Sequence, residues 1–308
     1  MNIRYLFGFL LSTFSLPAAE LTRYEFVEPH MATLFRIVFY APNPEIAKNA
    51  SQAAFTKIEE LNRAFSDYAP DSELNRFCRI PAGTPVPLSP DLFLILSRGQ
   101  QFAEASHGSF DMTVGRLTQL WRVSRKSHRL PAPDVLAQAR AAVGWKKLSL
   151  ATELQTGTLA ATGMQLDLGG IAKGFAADAA LAVLRAHGCP AALVAASGDI
   201  ALGDAPPGRA GWDISLGSQA NAPHRTLAHC GVSTSGDFEQ FAVIDGVHYA
   251  HILDPRTGLG LTQPAEVSVI APDATTSDAL ATALCIVSAE EGKVLLEKYP
   301  GTSAVFKR

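Results

Sequence analysis

The stretch LDLGGIAKGFAADAALAVLRAHG, residues 166–188, decides how this chain is organised. An apolar segment that is predicted to be a short strand leads into two glycines, Gly169 and Gly170. A helix is then predicted over 172–187, and Gly188 closes it. Glycines between a strand and a helix let the backbone approach a ligand, and the amino end of a helix attracts phosphate. The alternative is a tight turn that only docks the helix, because short glycine motifs often match by chance.

Helices and strands are distributed unevenly on either side of this stretch. Apolar periodicity and start signals predict further helices at 44–65, 90–107 and 133–144, and a last long one capped by Thr275 or Thr276. Runs rich in β-branched and aromatic residues predict strands at 33–40, 191–196, 212–216, 241–244, 248–253, 266–270 and 304–306. This order is neither a strict βαβ alternation nor a sandwich. We therefore expect an α+β fold with mostly antiparallel sheets and packed helices.

The composition argues against several classes of protein. Hydrophobic residues make up 47% of the 308 positions, and the formal net charge is -3. A nucleic-acid-binding protein normally carries a basic excess, and a disordered chain combines low hydrophobicity with high net charge. After residue 20, no uncharged apolar run reaches the roughly 18 residues that a membrane-spanning helix needs. We expect a soluble globular protein that does not bind nucleic acid.

The N-terminal residues predict export. Residues 1–19, MNIRYLFGFLLSTFSLPAA, place Arg4 before an apolar run at 5–16 and end in small residues, the order of a secretory signal peptide. The alternative is a buried N-terminal strand or helix. No cysteine comes directly after the apolar run, so no lipoprotein anchor is indicated. We expect residues 1–19 to be a signal peptide and 20–308 to form one periplasmic domain.

Four cysteines occur at wide and irregular intervals, and none forms a CxxC pair: Cys78, Cys189, Cys230 and Cys285. This spacing indicates neither a zinc site nor a dense disulfide framework. One or two disulfides are compatible with an oxidising compartment. Buried free thiols are the favoured alternative, because a chain of this length does not need disulfides for stability.

Two short segments near the C-terminus carry groups suited to phosphate chemistry. Asp278 and Thr282 are four residues apart on a predicted helix, so their oxygens share one face and offer the hard ligands that Mg²⁺ prefers. Most such pairs are only solvated or capping. In HILDPRTG, residues 251–258, His251 could take a proton and Arg256 could clamp a phosphate. The alternative is an Asp-Pro turn held by a paired arginine, which we favour for Arg256.

Two polar turns in the first half add weaker signals. Tyr68 could stack on a planar ring or be a half-buried turn aromatic. In GSFDMTVG, residues 108–115, Asp111 or Thr113 could contact a ligand or cap the following helix. Together with the glycine turn, these segments indicate a phosphate ligand with Mg²⁺ and an attached planar group.

Seven stretches, in this order, resemble the FAD:protein FMN transferase family, the ApbE-type flavin transferases. They are FSDYAPDSELNRF, GSFDMTVGRLTQLW, LDLGGIAKGFAAD, ASGDI, STSGDFEQ, HYAHILDPRTG and SDALATAL. The resemblance runs from about Met31 to the C-terminus and implies an ApbE-like, T-fold-related flavin transferase domain over 20–308. In this family FAD and Mg²⁺ bind in a cleft. FMN is then transferred to a Thr or Ser hydroxyl of a partner protein, and AMP is released.

The resemblance also implies a role for individual residues. Asp278 and Thr282 match side-chain Mg²⁺ ligands, and Gly170 matches a ligand that uses its backbone carbonyl. His251 matches the catalytic base. Eight residues match positions that line the FAD site: Met31, Tyr68, Ser109, Phe110, Asp111, Asp167, Lys173 and Ile252. The departures are Met112 and Arg116, where the family often has proline, and Ala196, where it usually has glycine.

The motifs leave two other activities open. An exported Mg²⁺-dependent FAD pyrophosphatase would use the same site with water as nucleophile, giving FMN and AMP. A non-catalytic flavin-binding protein is disfavoured by His251 and the two metal-side residues. By resemblance, the acceptor is an FMN-binding subunit of a membrane electron-transfer complex or a membrane regulator of anaerobic respiration.

Overall fold

A computed structural model describes residues 20–236 and 241–307 of the chain. The predicted signal peptide, residues 1–19, lies outside the described residues. The α-helices are α1 (Pro44–Phe65), α2 (Glu73–Cys78), α3 (Pro90–Ala105), α4 (Gly115–Ser127), α5 (Pro133–Ala141), α6 (Ala172–Ala186), α7 (Ala274–Ile286) and α8 (Ala289–Glu297). A 3₁₀ turn spans Trp145–Lys147.

The strands are distributed along the whole described chain. They are β1 (Thr22–His30), β2 (Thr33–Ala41), β3 (Val86–Pro87), β4 (Leu148–Ala151), β5 (Thr156–Leu159), β6 (Ala192–Ala196), β7 (Asp199–Leu202), β8 (Trp212–Ser215), β9 (His224–Leu227), β10 (Cys230–Gly236), β11 (Phe241–Ile244), β12 (Val247–Ala250), β13 (Leu253–Asp254), β14 (Leu259–Gly260), β15 (Glu266–Ala271) and β16 (Ser303–Lys307). The main sheet has seven strands in the order β1-β2-β6-β7-β10-β15-β16. Every neighbouring pair in it is antiparallel, which confirms the predicted fold class.

Strand β2 shows how the two faces of this sheet are covered. Phe35, Ile37 and Phe39 are fully buried on the face covered by α1, α6 and α7. Val38 points to the opposite face, where it joins a smaller apolar cluster with Trp212 from the β8–β9 hairpin. This alternation is the two-residue period of a strand buried on both sides. The sheet is therefore the middle layer between helices and a hairpin.

Helix α1 forms for the reasons that its sequence indicates. The side chain of Asn43 accepts a hydrogen bond from the Ile46 amide at 2.9 Å, and Pro44 occupies the first turn. Both features favour a helix start. The predicted apolar face is buried at Ala50 and Ile58, whereas Ile46 at the start stays exposed. The buried face packs against α6, which fixes the position of the glycine turn that precedes α6.

Two tight hairpins at one end of the main sheet shape the region of the candidate site. The β1–β2 turn places Met31 and Ala32 at φ 48° and 59°, and the β6–β7 turn places Ser197 at φ 57°. Such left-handed backbone is unfavourable for residues other than glycine by about 1–2 kcal/mol. Strain of this kind concentrates where a ligand site over-determines the backbone.

Two local predictions were wrong in detail. The segment before Gly169 is no strand, because its backbone makes only an isolated parallel bridge between Gln165 and Val114. Helix α7 is capped by Asp273, whose carboxylate accepts the Thr276 amide at 2.7 Å. The threonines offered as caps lie inside the helix, because the hydroxyl of Thr275 donates to another carboxylate, that of Asp178.

The predicted strand 248–253 is also interrupted. Strand β12 ends at Ala250, because the Ala250 carbonyl accepts a bond from the Trp121 indole at 3.1 Å and the Ile252 carbonyl accepts one from the Leu261 amide at 2.9 Å. The chain therefore bends at His251 and resumes as β13. None of the four cysteines, all of which lie in the described residues, forms a disulfide, in agreement with the alternative favoured from the chain length. No helix in 20–236 or 241–307 is long and apolar enough to cross a bilayer.

Candidate active site

A cleft of about 1040 Å³ opens beside the two strained hairpins. Its walls come from the loop after α1, from α4, the glycine turn, α7 and the bend after β12. Every residue assigned to the site from the sequence lines it: Met31, Tyr68, Ser109, Phe110, Asp111, Asp167, Gly170, Lys173, His251, Ile252, Asp278 and Thr282. The topology thus brings together groups that are more than 200 residues apart in sequence, from Met31 to Thr282.

Asp278 lies at the bottom of the cleft and is only 2% exposed. Its Oδ2 accepts a hydrogen bond from the Gly174 amide at 3.0 Å, so the first turn of α6 points at this carboxylate. Burial and the nearby Asp199 carboxylate raise the pKa of Asp278 to about 7, against the lowering effect of Lys173. A buried carboxylate of this kind is favoured as an anion only when a cation is close.

The partly exposed Lys173 and the buried Asp199 form an ion pair next to Asp278. Burial alone would lower the pKa of Lys173, but the carboxylates of Asp199 and Asp278 raise it, so the lysine stays charged. One ammonium group therefore faces two carboxylates. The negative charge around Asp278 is not fully compensated, so a further cation would be favoured there. Asp199 belongs to the ASGDI stretch, yet sequence reasoning assigned it no role.

The oxygen donors next to Asp278 fit a hard divalent cation. A Cβ atom placed on Gly170 would lie 3.1 Å from the Thr282 hydroxyl, so the Gly170 backbone and this hydroxyl are neighbours. The Ser235 hydroxyl lies 3.5 Å from that of Thr282. Carboxylate, hydroxyl and peptide carbonyl are ligands that Mg²⁺ accepts alongside phosphate and water. In the described parts of the chain, no three His, Cys, Asp or Glu side chains cluster as a metal site.

His251 lies on the bend that interrupts the predicted strand. The Trp121 indole fixes the preceding carbonyl, that of Ala250, so the bend is anchored to α4. His251 is half-buried, and Ile252 beside it is buried at 8% exposure. Further along the turn, the Arg256 guanidinium donates to both oxygens of Asp254 at 2.9–3.1 Å. Arg256 thus holds the turn and does not line the cleft.

Asp111 is held by three donors and is not the helix cap. Its Oδ1 accepts bonds from the amide and hydroxyl of Thr113 at 2.7 Å, and its Oδ2 accepts the Trp145 amide at 3.0 Å. Burial raises the pKa of Asp111, although these bonds oppose the shift. The cap of α4 is Val114, without a side-chain bond. Thr113 is fully buried and instead donates to Asp111.

At the mouth of the cleft, Arg122 of α4 lies against the aromatic turn that contains Tyr68. The sequence motifs did not indicate this arginine. Tyr68 is 73% exposed, and the Arg122 guanidinium lies 4.1 Å from its ring centre. Arg122 also contacts the carboxylates of Asp67 and Asp167. The sequence did contain a signal for Arg122. Thr118, Arg122 and Arg125 are spaced to share one face of α4, and all three line the cleft.

Comparison with known proteins gives a consistent picture. The chain matches the model of the ApbE family over residues 31–306. The FAD:protein FMN transferase of Treponema pallidum (strain Nichols) is 34% identical over 312 residues, covering 94% of this chain and 85% of that protein. The FAD:protein FMN transferase of Chlamydia trachomatis serovar D is 34% identical over 267 residues, covering 85% and 83%.

Solved structures show the same architecture. The apo flavinyl transferase ApbE of Pseudomonas stutzeri has a TM-score of 0.82 at 27% identity, covering 93% of this chain and 91% of that one. The flavin transferase ApbE of Vibrio cholerae has a TM-score of 0.83 at 26% identity, covering 93% and 94%. These likenesses confirm the α+β fold that the resemblance implied.

Proposed function

The chain belongs to the ApbE family, and on this basis we propose that it is a Mg²⁺-dependent FAD:protein FMN transferase. It joins FMN through a phosphoester to a Thr or Ser hydroxyl of a partner protein and releases AMP. The observation that carries the proposal is the shared cleft, which collects His251, the oxygen donors around Asp278 and the residues that match FAD positions.

The bottom of the cleft is the proposed metal corner. Bound Mg²⁺ would supply positive charge that stabilises the diphosphate of FAD as AMP departs. The Asp278 carboxylate, the Thr282 hydroxyl and the Gly170 carbonyl would hold it. Lys173 pairs with Asp199, so its positive charge offsets part of the negative charge that this carboxylate adds beside Asp278. Glycine at position 170 leaves the space beside the Thr282 hydroxyl open.

The proposed role of His251 is to accept the proton of the incoming hydroxyl. The hydroxyl oxygen forms a bond to the phosphorus of the FMN phosphate. The bond from that phosphorus to the bridging oxygen breaks, and AMP leaves with this oxygen. The fixed bend at Ala250 orients the histidine, and such positioning is the main contribution that a protein makes to phosphoryl transfer.

The test uses FAD, Mg²⁺ and a candidate acceptor domain that carries a single reactive threonine. Flavin fluorescence of the acceptor band in a denaturing gel, with a mass increase equal to FMN less one water, supports transfer. FMN and AMP free in solution, without labelled acceptor, would instead indicate the pyrophosphatase. Binding of FAD without turnover would indicate a flavin-binding protein. The matched control is the acceptor with that threonine changed to alanine.

We also propose that the protein acts in the periplasm after removal of residues 1–19. The order of charge, apolar run and small residues in this segment supports export. Its acceptor would then be an FMN-binding subunit of a membrane electron-transfer complex. Mass spectrometry of the protein from a periplasmic extract tests this, because the cleaved chain begins near Ala19 or Glu20. Recovery of the intact chain from the cytoplasm would contradict it.

A further inference from the structure

Arg122 connects three separate segments at the mouth of the cleft. It extends from α4, and its Nη1 lies 2.5 Å from Oδ2 of Asp67 in the loop after α1. Its Nη2 lies 3.6 Å from Oδ2 of Asp167 in the glycine turn. The side chain is 28% exposed, so these contacts form at the boundary between protein and solvent. The position of each segment therefore depends on the same guanidinium group.

The same guanidinium covers one side of an aromatic ring. Its central carbon lies 4.1 Å from the ring centre of Tyr68, within the range of a cation–π contact. The ring is 73% exposed in spite of this contact. A planar guanidinium on one face of a ring restricts its rotation and leaves the other face for a second planar group.

The charges around Arg122 make the mouth compatible with an anion. Asp67 and Asp167 are 15% and 13% exposed, so solvent screens their charges only in part. Burial and the Asp167 charge raise the pKa of Asp67, and the Arg122 contact opposes this shift. Among the described residues, no other cation lies within ion-pair distance of Asp67 or Asp167. Without the Arg122 guanidinium, the two carboxylates would therefore repel an anionic nucleotide.

We propose that Arg122 is a positioning residue for FAD, which holds the Tyr68 ring for stacking on a planar ring of the ligand and compensates the charges of Asp67 and Asp167. This inference rests on the proposed function, because it takes FAD as the ligand. It adds to that function a residue on α4 that the sequence motifs did not indicate. Arg122 acts through its neighbours and takes no part in the bond-making step.

The test is the dissociation constant of FAD, measured through flavin fluorescence in the presence of Mg²⁺. We expect R122A to weaken binding about tenfold, because the Tyr68 ring is then no longer held in position for stacking. We expect R122K to fall between R122A and the wild type, because it keeps the charge but loses the planar contact. Lys126 lies one helical turn further along α4 and is exposed, so K126A serves as the charge-matched control with unchanged binding.

A double-mutant cycle separates positioning from general destabilisation. If Arg122 acts through the ring, R122A should weaken binding several-fold less in a Y68L background than in the wild type. If it compensates charge, D67N should restore part of the affinity that R122A loses. Unchanged affinity in R122A, or effects of R122A and Y68L that simply multiply, would overturn the inference. Thermal unfolding confirms that each variant is folded.

These outcomes differ from those that test the proposed function. A wild type that binds FAD but labels no acceptor removes the transferase proposal and leaves the role of Arg122 intact. Normal FAD affinity in R122A removes only the role of Arg122. A wild type that does not bind FAD overturns both.

Discussion

His251 shows how much of the site depends on single residues. The sequence motif HILDPRTG indicated its chemistry, and the structure places it on a bend that the apolar pattern did not predict. The bend depends on a bond from the Trp121 indole to the Ala250 carbonyl, a contact over 129 residues. No local pattern carries such a contact. The identity of the candidate base was therefore predictable from sequence, whereas its orientation was not.

Replacing this histidine separates binding from chemistry. We expect H251N to keep the affinity for FAD and to lower the rate of FMN transfer by about 10²–10⁴, the usual contribution of a general base. Single-turnover labelling of the acceptor, together with a separate FAD titration, measures the two quantities. A variant that labels at the wild-type rate would show that another group accepts the proton.

Gly174 supports the proposed metal corner through its small size. A Cβ atom at this position would lie 2.2 Å from the Ala274 carbonyl oxygen and 2.8 Å from Cβ of Asp278. Backbone cannot move as a side chain can, so α6 and α7 would separate. We expect G174A to lower the free energy of unfolding by about 2–3 kcal/mol and to impair Mg²⁺-dependent activity. Urea unfolding and an activity assay measure both.

The matched control is a second helical glycine. A Cβ at Gly292 of α8 would meet the end of the Leu284 side chain at 3.1 Å, which can shift. Because alanine favours helix over glycine by about 1 kcal/mol, G292A should be neutral or stabilising. If G174A and G292A lost equal free energies of unfolding, the close packing of α6 on α7 would not explain the effect of G174A.

At the scale of elements, the sequence predicted the helices better than the connections between them. Helix α1 carries a cap, an N-terminal proline and an apolar face, and its bounds were predicted correctly. The start of α7 was misplaced, because Asp273 caps the helix and the Thr275 hydroxyl bonds to Asp178 of α6. Strands β1 and β10 were missed, since their residues alternate weakly or mix glycine and serine. Sheet pairing compensates for such weak local preference.

Asp178 links α6 to α7 and makes this junction sensitive to pH. Its carboxylate accepts the Ala274 and Thr275 amides at 2.8–2.9 Å and the Thr275 hydroxyl at 2.6 Å. Burial raises its pKa to about 6, although these bonds oppose the shift. The folded protein thus binds the proton more tightly than the unfolded chain. This group therefore contributes less to the free energy of unfolding as pH rises from about 4 to about 6.

The variant D178N removes this titration. We expect it to be less stable than the wild type at all pH values, because an amide cannot accept all three bonds. The difference should shrink by on the order of 2 kcal/mol between pH 4 and pH 6.5, because only the wild type loses the contribution of Asp178 there. Urea unfolding at several pH values measures it. A constant difference would contradict the raised pKa.

At the scale of the whole molecule, the cleft joins distant parts of the chain, so its ligands should stabilise the entire fold. A ligand at 100 times its dissociation constant adds about 2.7 kcal/mol to the free energy of unfolding. We expect Mg²⁺ and FAD together to raise the melting temperature by several degrees. In the near-isosteric variant D278N, the part of this rise in melting temperature that depends on Mg²⁺ should be lost. An equal Mg²⁺ response in D278N would place the metal elsewhere.

The direction of the first strand has a practical consequence. Strand β1 runs from Thr22 for nine residues to the turn at Met31, which lines the cleft. At about 3.4 Å per residue, the start of β1 lies roughly 27 Å from that turn. A purification tag or surface linker attached at Glu20 is thus at the far end of the sheet from the cleft. Protein immobilised in this way should present its open face to a large acceptor without steric obstruction.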